Sequence, residues 1–540
     1  MLLLLLVILL PACGGDSGGS GAPATSAGAG ATAIGTPPPA AVSSSIAPGG
    51  GEATAAAAST DVPAPAGATA AFTDGVASGD VTASSAVLWT RAEGGDRLSV
   101  EIATEASFAD ARTERAATSA ARDFTVKQRV DGLSPGTRYY YRFRAGEAVS
   151  ATGMFVTALE ATASVAFRFV FSGDSDGTRA PDGTPAFNNF EVLDAAAAED
   201  PAFFLYFGDT IYGDRQPAAT TLDGYRAKYR VNRGYPALTN ILARTSTYNT
   251  WDDHEVANDF DGATADRTRV EAGRQAFREY MPIDDSGGDT ATMYRTFRWG
   301  RDVELFALDE RSFRSADVSA ACSAGGTPDP LPGAAAPGVP DALRGGRGLL
   351  GLPAEVPVEC LAALDDPSRT MLGAAQKEFL KTRLRASDAT WKVIVNEVPM
   401  QQLLALPYDR WEGYAAERRE ILSFIRDNGI RNVVFLTTDL HGNIFGPVRM
   451  DVFNDPAPVA YEAVVGPIAT STLKRSIAKA VGETASAVFA PLLTGVLKAD
   501  CAQIDSYSYG LVEVDPAGIM TITAKDAAGG VLCAQVLHAS

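Results

Sequence analysis

Histidine is the scarcest chemically useful residue in this 540-residue chain, which contains three. Five cysteines are present, and no two share the close CxxC-type spacing that a structural zinc site needs. Lysine and arginine number 46 against 65 aspartates and glutamates, a formal net charge of -19. No nucleic-acid-binding surface is therefore expected, because that affinity comes from many cationic contacts to phosphate. If phosphate is handled at all, metal ions held by carboxylates are the obvious attractant. The apolar run at the start, Met1 to Leu10, is too short to span a bilayer as a stable anchor. What is there instead, 46% hydrophobic and 21% charged residues, describes an ordinary soluble globular chain with room for two or three domains.

The opening run continues through Pro11-Ala12-Cys13, a small residue followed by cysteine, and so residues 1–13 resemble a bacterial lipoprotein export signal with Cys13 as the lipidated residue. Residues 14–71 are almost entirely Gly, Ala, Ser, Thr and Pro and cannot bury enough apolar surface to offset their ordering entropy. They read as a flexible tether, and the chain as an exported monomer, periplasmic or at the cell surface, that meets the membrane only through a lipid anchor. With Cys13 set aside, an even number of cysteines is left for an oxidising compartment: Cys322, Cys360, Cys501 and Cys533. Sequence order favours pairing Cys322 with Cys360 and Cys501 with Cys533, and the other pairings stay open.

Residues 72–157 change to short alternating runs, among them Ala86 to Thr90, Leu98 to Ala103, Thr125 to Val130 and Tyr139 to Arg144. Period-two alternation with turn chemistry at Leu133-Ser134-Pro135-Gly136-Thr137 predicts a small β-sandwich, similar to fibronectin type III or Ig-like domains. In residues 163–540 strands alternate with helical patterns. A strand over Val165 to Phe171, a helix over Phe187 to Glu199 and a strand over Phe203 to Phe207 come first. A helix at about Gln376 to Ala386, a strand over Trp391 to Val395, a helix at about Ala415 to Asp427 closed by Gly429, and a strand over Val433 to Leu436 follow. This order calls for a layered α/β domain. The Pro-, Gly- and Ala-rich segment from about Asp317 to Pro367 reads as a surface insertion stapled by a disulfide.

Polar clusters fall just after these strands: Ser172-Gly173-Asp174-Ser175-Asp176, Gly208-Asp209-Thr210-Ile211-Tyr212, Trp251-Asp252-Asp253-His254-Glu255, Asn396-Glu397, and Thr437-Thr438-Asp439-Leu440-His441. An acid after a strand is by itself a common cap or turn former. Here two of the three histidines, His254 and His441, sit inside acid-rich clusters at strand ends, which points to a shared metal site. Ionised carboxylates stabilise such cations, while imidazole and phenolate complete the shell. Asp209 is the candidate bridge between two ions, about 3.5 to 4 Å apart in sites of this kind, that would aim a hydroxide at phosphorus.

The clusters in this order, above all Gly-Asp-x-Ile-Tyr and Trp-Asp-Asp-His-Glu, resemble the PhoD-type alkaline phosphatases and phosphodiesterases of the metallophosphoesterase superfamily. Phe72 to Asp80 and Leu88 to Arg91 are similar to that family's N-terminal β-domain. The resemblance implies a calcineurin-like four-layer α/β/β/α sandwich after the β-domain, and release of phosphate from small phosphomonoesters or phosphodiesters by a metal-bound hydroxide. It implies Asp209 as bridging ligand, Tyr212 as ligand to a ferric ion, Asp253 in the position usually held by Asn, and Asp439 and His441 as ligands of the last motif. His254 would contact phosphate or protonate the leaving group, and Asn396 falls where the fourth motif contributes. Asp252 and Asn258 are further candidates for calcium or for supporting contacts. Better-known members carry a cysteine ligand after the first strand; this chain has Asp174, with Asp176 in reserve. A carboxylate there favours oxygen-liking cations, so iron is less firmly implied than in the Fe(III) plus Ca2+ pair of the family.

Two rival readings differ in class. Ser175 between Asp174 and Asp176 suggests a serine-nucleophile alkaline phosphatase, although three histidines barely supply its metals. The other is a catalytically inactive, lipid-anchored binding protein on the same fold. Arg226, Lys228, Arg230, Arg233, Arg410 and Trp411 are candidate substrate contacts at the pocket rim, or equally solvated surface and structural pairs.

Overall fold

The computed structural model describes residues 72–92, 98–285, 292–323, 328–349, 352–353 and 355–540. Cys13, the export signal and the tether over 14–71 lie outside them. No helix among the described residues is long and apolar enough to cross a membrane.

Two large sheets dominate. The nine-stranded sheet runs, edge to edge, Val531–His538, Ile519–Lys525, Tyr509–Asp515, Phe167–Ser172, Phe203–Tyr206, Ser246–Tyr248, Val76–Gly79, Ser85–Arg91 and Thr125–Asp131. Its middle strands, Phe167–Ser172, Phe203–Tyr206 and Ser246–Tyr248, are parallel. Phe203–Tyr206 is buried along its whole length, which explains a continuous apolar run in place of an alternating one. The seven-stranded sheet runs Arg295–Trp299, Val303–Ala307, Trp391–Asn396, Val433–Thr437, Asp455–Val464, Asn443–Asp451 and Cys501–Gln503.

The apolar faces decide how the layers stack. Phe169, Phe171, Phe203, Leu205 and Phe207 from one sheet meet Trp299, Leu305, Val393, Val395 and Leu436 from the other in a shared core. On the outer side of the nine-stranded sheet, Val192 and Leu193 of Glu191–Ala198, Tyr225 of Leu222–Arg233, Ile241 of Pro236–Arg244 and Phe277 of Arg267–Tyr280 cover Val170, Phe204 and Tyr206. Leu380 and Leu384 of Gly373–Ala386, with Ile421, Leu422 and Ile425 of Ala415–Asp427, cover Phe306, Ile394 and Phe435 of the other sheet. The first helix is shorter than its periodicity predicts. Asn188 Oδ1 accepts the Phe190 N–H at 2.7 Å, and Phe190 holds φ +63°, so the helix begins only at Glu191.

The N-terminal strands are divided differently from a free-standing sandwich. Leu98–Ala103, Arg112–Arg115, Arg138–Ala145, Ala148–Val149 and Gly153–Val156 form their own five-stranded sheet. Val76–Gly79, Ser85–Arg91 and Thr125–Asp131 instead extend the nine-stranded sheet, because Ser78 and Gly79 pair in parallel with Ser246 and Thr247. Val76, Leu88, Val100, Val130, Tyr141 and Phe143 form a common core between the two groups. Alternation marks a strand as half-buried but does not say which edge it joins.

Both favoured disulfides are present. Cys322–Cys360 staples the insertion, where Arg347 and Asp329 also form a buried ion pair at 2.5 Å. Cys501–Cys533 joins an edge strand of the seven-stranded sheet to an edge strand of the nine-stranded one.

Candidate metal centre

The acid clusters converge where the parallel strands of the two sheets end. Asp174 follows Phe167–Ser172, Asp209 follows Phe203–Tyr206, and Asp252, Asp253 and His254 follow Ser246–Tyr248. Asp439 and His441 follow Val433–Thr437 from the other sheet. Open α/β sheets bind ligands at such strand ends. Asp174, Asp209, Asp439 and His441 all adopt left-handed backbone, at φ 58°, 50°, 64° and 55°. Residues with a Cβ pay for that conformation in steric energy, and its concentration here marks the turns as shaped for the site. Close backbone approach adds to the constraint: a Cβ on Gly173 would lie 2.2 Å from the Phe207 carbonyl oxygen, and one on Gly466 2.4 Å from Asp174 Oδ2.

Ligand-capable atoms fall into overlapping groups, each within 4.8 Å: Asp174, Asp209 and His441; Asp209, Asp253 and His254; and Asp253, Asp259 and Asp409. Asp209 belongs to the first two. In the first group His441 Nε2 is 3.9 Å from Asp174 Oδ1 and 3.0 Å from the Tyr212 hydroxyl. Asp439 donates its backbone N–H to Asp174 Oδ1 at 3.2 Å. Among the described residues Asp174 Oδ2, fully buried, has no hydrogen-bond partner, which is the condition of an oxygen waiting for a cation. In the second group the His254 ring lies 4.1 Å from that of Tyr212, and its Nε2 is 3.9 Å from Asp209 Oδ2.

Burial pushes Asp174, Asp209 and Asp439 well above the usual carboxylate range, and the neighbouring Asp252 and Asp253 raise each further. Burial, aided by the fields of His254 and Arg215, lowers His441 to about 3, so its imidazole is neutral and able to donate a lone pair. Buried acids whose ionisation burial disfavours and a neutral imidazole beside a phenol form a donor set that divalent and trivalent cations fit.

Several residues to which the sequence assigned no role complete the site. Asp214 Oδ1 lies 2.7 Å from His254 Nδ1, and its Oδ2 accepts the Asn258 N–H. Glu255 braces two loops, accepting the N–H and hydroxyl of Thr210 at 2.5 Å and the Asp252 N–H at 2.9 Å. Arg311, fully buried, ion-pairs with Asp252 Oδ1 at 2.5 Å and Asp409 at 2.6 Å. Asp214 stood in the apolar-to-acid run around Asp209 and was within reach of reasoning; Arg311 and Asp409 carry no local signal.

Other expectations are corrected. Asn396 stands at the right strand end, but its Oδ1 accepts the Trp411 indole N–H at 3.0 Å and its Nδ2 donates to the Val398 carbonyl and Thr437 Oγ1. Its amide is fully engaged in holding the loop. Asp176 is absent from the ligand groups; it accepts the Thr178 N–H and lies 3.3 Å from Arg215 Nε. Asp252 and Asn258 make supporting contacts, one of their two expected roles: Asp252 pairs with Arg311, and Asn258 reaches Asp214 through its backbone N–H. Ser175 is fully buried, its hydroxyl bonded to the Tyr206 phenol and the Asp209 carbonyl. Of the two readings open for the basic candidates, structural pairing is what the structure shows: Arg226 is held by Glu279, Arg230 by Asp123, Arg233 by the Tyr280 carbonyl and Arg410 by the Leu406 carbonyl. Lys228 donates to the Arg215 carbonyl, and Trp411 to Glu310 and Asn396.

This fold and these donor clusters define the metallophosphoesterase-like class of α/β proteins with a β-rich N-terminal region. A purple acid phosphatase, PPD1 from yellow lupin seeds, superposes with a TM-score of 0.53 at 12% identity, over 86% of this chain and 73% of that one. A solved structure of PhoD does so with a TM-score of 0.67 at 22% identity, over 88% and 92%. Residues 179–516 match the model of the PhoD-like phosphatases and residues 55–159 that of their N-terminal domain. Alkaline phosphatase D of Bacillus subtilis (strain 168) is 27% identical over 455 residues, 74% of this chain and 69% of its own. The chain belongs to the PhoD-like phosphatase family and is a phosphoric ester hydrolase.

Proposed function

We propose that the protein is an exported, monomeric phosphatase or phosphodiesterase that releases phosphate from small organic phosphoesters at a multinuclear metal centre. The observation that carries this reading is Asp209, whose carboxylate belongs to two ligand groups at once. Asp174, Asp209, Tyr212 and His441 would hold one cation, with Asp439, whose backbone N–H meets Asp174, as a further candidate beside them, and Asp209 and Asp253 would complete a second. Once bound, the cations supply Lewis-acid charge for the phosphoryl oxygens and make water nucleophilic at mild pH.

The chain's own groups do the rest. Asp214 beside Nδ1 stabilises the imidazolium of His254 and fixes its ring, so that Nε2 can hand a proton to the leaving-group oxygen. Arg311 and Glu255 keep the third cluster in place while the acids are crowded. The four-layer sandwich, the division at residues 72–157 and 163–540, and lipidation at Cys13 belong to the same reading. Fe(III) with Ca2+ is the family's pairing; Tyr212 supports iron, and Asp174 in place of a thiolate supports harder cations.

The test is elemental analysis of the purified protein, followed by assays with p-nitrophenyl phosphate and bis-p-nitrophenyl phosphate with and without added iron and calcium. Hydrolysis that requires the bound metals is expected. No turnover of either ester with metals confirmed in place would overturn the hydrolase mechanism and leave a binding protein.

A further inference from the structure

Besides the candidate metal ligands, two arginines approach the centre, and they differ in what surrounds them. Arg311 is fully buried between Asp252 and Asp409. Arg215 keeps 22% of its side chain exposed, while its partner Asp176 keeps 1%. The Arg215 guanidinium lies 5.6 Å from the centre of the Tyr212 ring, the candidate ligand that itself touches His441 and stacks near His254.

Arg215 is held from two directions. Its Nε lies 3.3 Å from Asp176 Oδ2. Asp176 is itself fixed, its N–H donating to the Ala469 carbonyl at 2.7 Å and its Oδ1 accepting the Thr178 N–H at 2.9 Å. The Arg215 backbone carbonyl accepts from Lys228 Nζ at 2.6 Å. A cation anchored by a buried acid, with its planar fork over a ligand ring and partly open to solvent, is built to meet an anion entering the site.

We propose that Arg215 binds the substrate's phosphoryl group, that Asp176 is its positioning residue, and that the pair biases the site toward phosphomonoesters. The proposal rests on the hydrolase reading above. A monoester phosphate, with its second pKa about 6, carries close to two negative charges at mildly alkaline pH, and a diester carries one. Coulomb attraction scales with charge, so the same guanidinium favours the monoester about twice as strongly in free energy.

The experiment compares Arg215→Gln, Arg215→Lys and Asp176→Asn with the unaltered full chain. The readouts are kcat/KM on p-nitrophenyl phosphate and bis-p-nitrophenyl phosphate, inhibition by inorganic phosphate, and metal content. Arg215→Gln is expected to lower kcat/KM for the monoester about tenfold and for the diester about threefold, mostly through KM, and to weaken phosphate inhibition in step with the monoester. Arg215→Lys should recover part of the monoester preference, and Asp176→Asn should fall between, all with unchanged metal content. Should Arg215→Gln fail to fold, the other two variants read the same ratio. Equal losses on both esters, no loss, or loss of metal from the variants would overturn the proposal. An unaltered protein that turns over neither ester would instead remove the hydrolase reading itself.

Discussion

Two acidic regions lie side by side in this protein, and Asp253, grouped with Asp209 and His254 and also 3.8 Å from Arg311 Nη2, stands between them. Around Asp252 and Asp409 the protein supplies its own counter-charge, since Arg311 and Arg314 both pair with Asp409 Oδ1 and Arg311 also reaches Asp252. Around Asp174 and Asp209 the side chains are more deeply buried than that of Asp409, their basic neighbours are the imidazoles of His441 and His254, and burial holds both acids well above their usual range. Crowded carboxylates are therefore ambiguous by themselves. Those neutralised by arginine are scaffolding, and those left without a counter-charge await a cation from outside.

The sharpest way to break that contrast is Asp209→Asn. The variant should lose at least about a thousandfold in kcat, because the shared ligand is gone. It should also fold, and be more stable than the parent when both are stripped of metal, since a buried acid becomes neutral. Unchanged turnover, read with p-nitrophenyl phosphate, would end the assignment.

The opposite region should respond oppositely. Arg311→Met leaves Asp252 and Asp409 without their cation and should cost about 3–5 kcal/mol in chemical denaturation, with or without metal. A stable Arg311→Met protein would mean that the acids beside it are also neutralised from outside.

A smaller effect comes from pH. Burial raises Asp252 to about 6 and Glu255 to about 7, above their unfolded values near 4. The folded protein therefore binds more protons than the unfolded chain, and that contribution is present at acid pH and lost as pH rises from about 4 through about 7. Metal-free protein should melt lower at pH 8 than at pH 5, and the gap between chelated and metal-loaded melting temperatures should widen over the same range. A gap independent of pH would show that cations do not relieve this crowding. Smallest of all, Ser175→Ala should leave turnover within about twofold, because its hydroxyl serves the core; abolished activity would restore the serine-nucleophile rival.

Much of this was legible because it is local. Apolar runs that stop at an acid located Asp174, Asp209 and Asp439, and the helix over Ala415–Asp427 was readable to its ends. The rest depended on partners distant in sequence. Asn396 has the composition of a ligand and the strand-end position, but Trp411, fifteen residues on, occupies its oxygen. Asp409 gains its place only through Arg311, 98 residues earlier. The basic residues of Leu222–Arg233 could be read equally as substrate contacts or as structural pairs, and only the fold shows that Arg226 reaches Glu279 on a neighbouring helix. A charge's partner is a tertiary fact, and no periodicity encodes it.

The parallel pairing of Ser78 with Ser246 bears on how this protein could be taken apart. Tyr248 donates its hydroxyl to the Val81 carbonyl, and the Trp89 indole donates to the Glu279 carbonyl, so side-chain hydrogen bonds as well as the sheet cross the boundary. The β-rich region is thus no detachable cassette. Exchange it for that of a relative and the recipient would need a new sheet edge; delete it and the strand just before His254 would lie open to self-association.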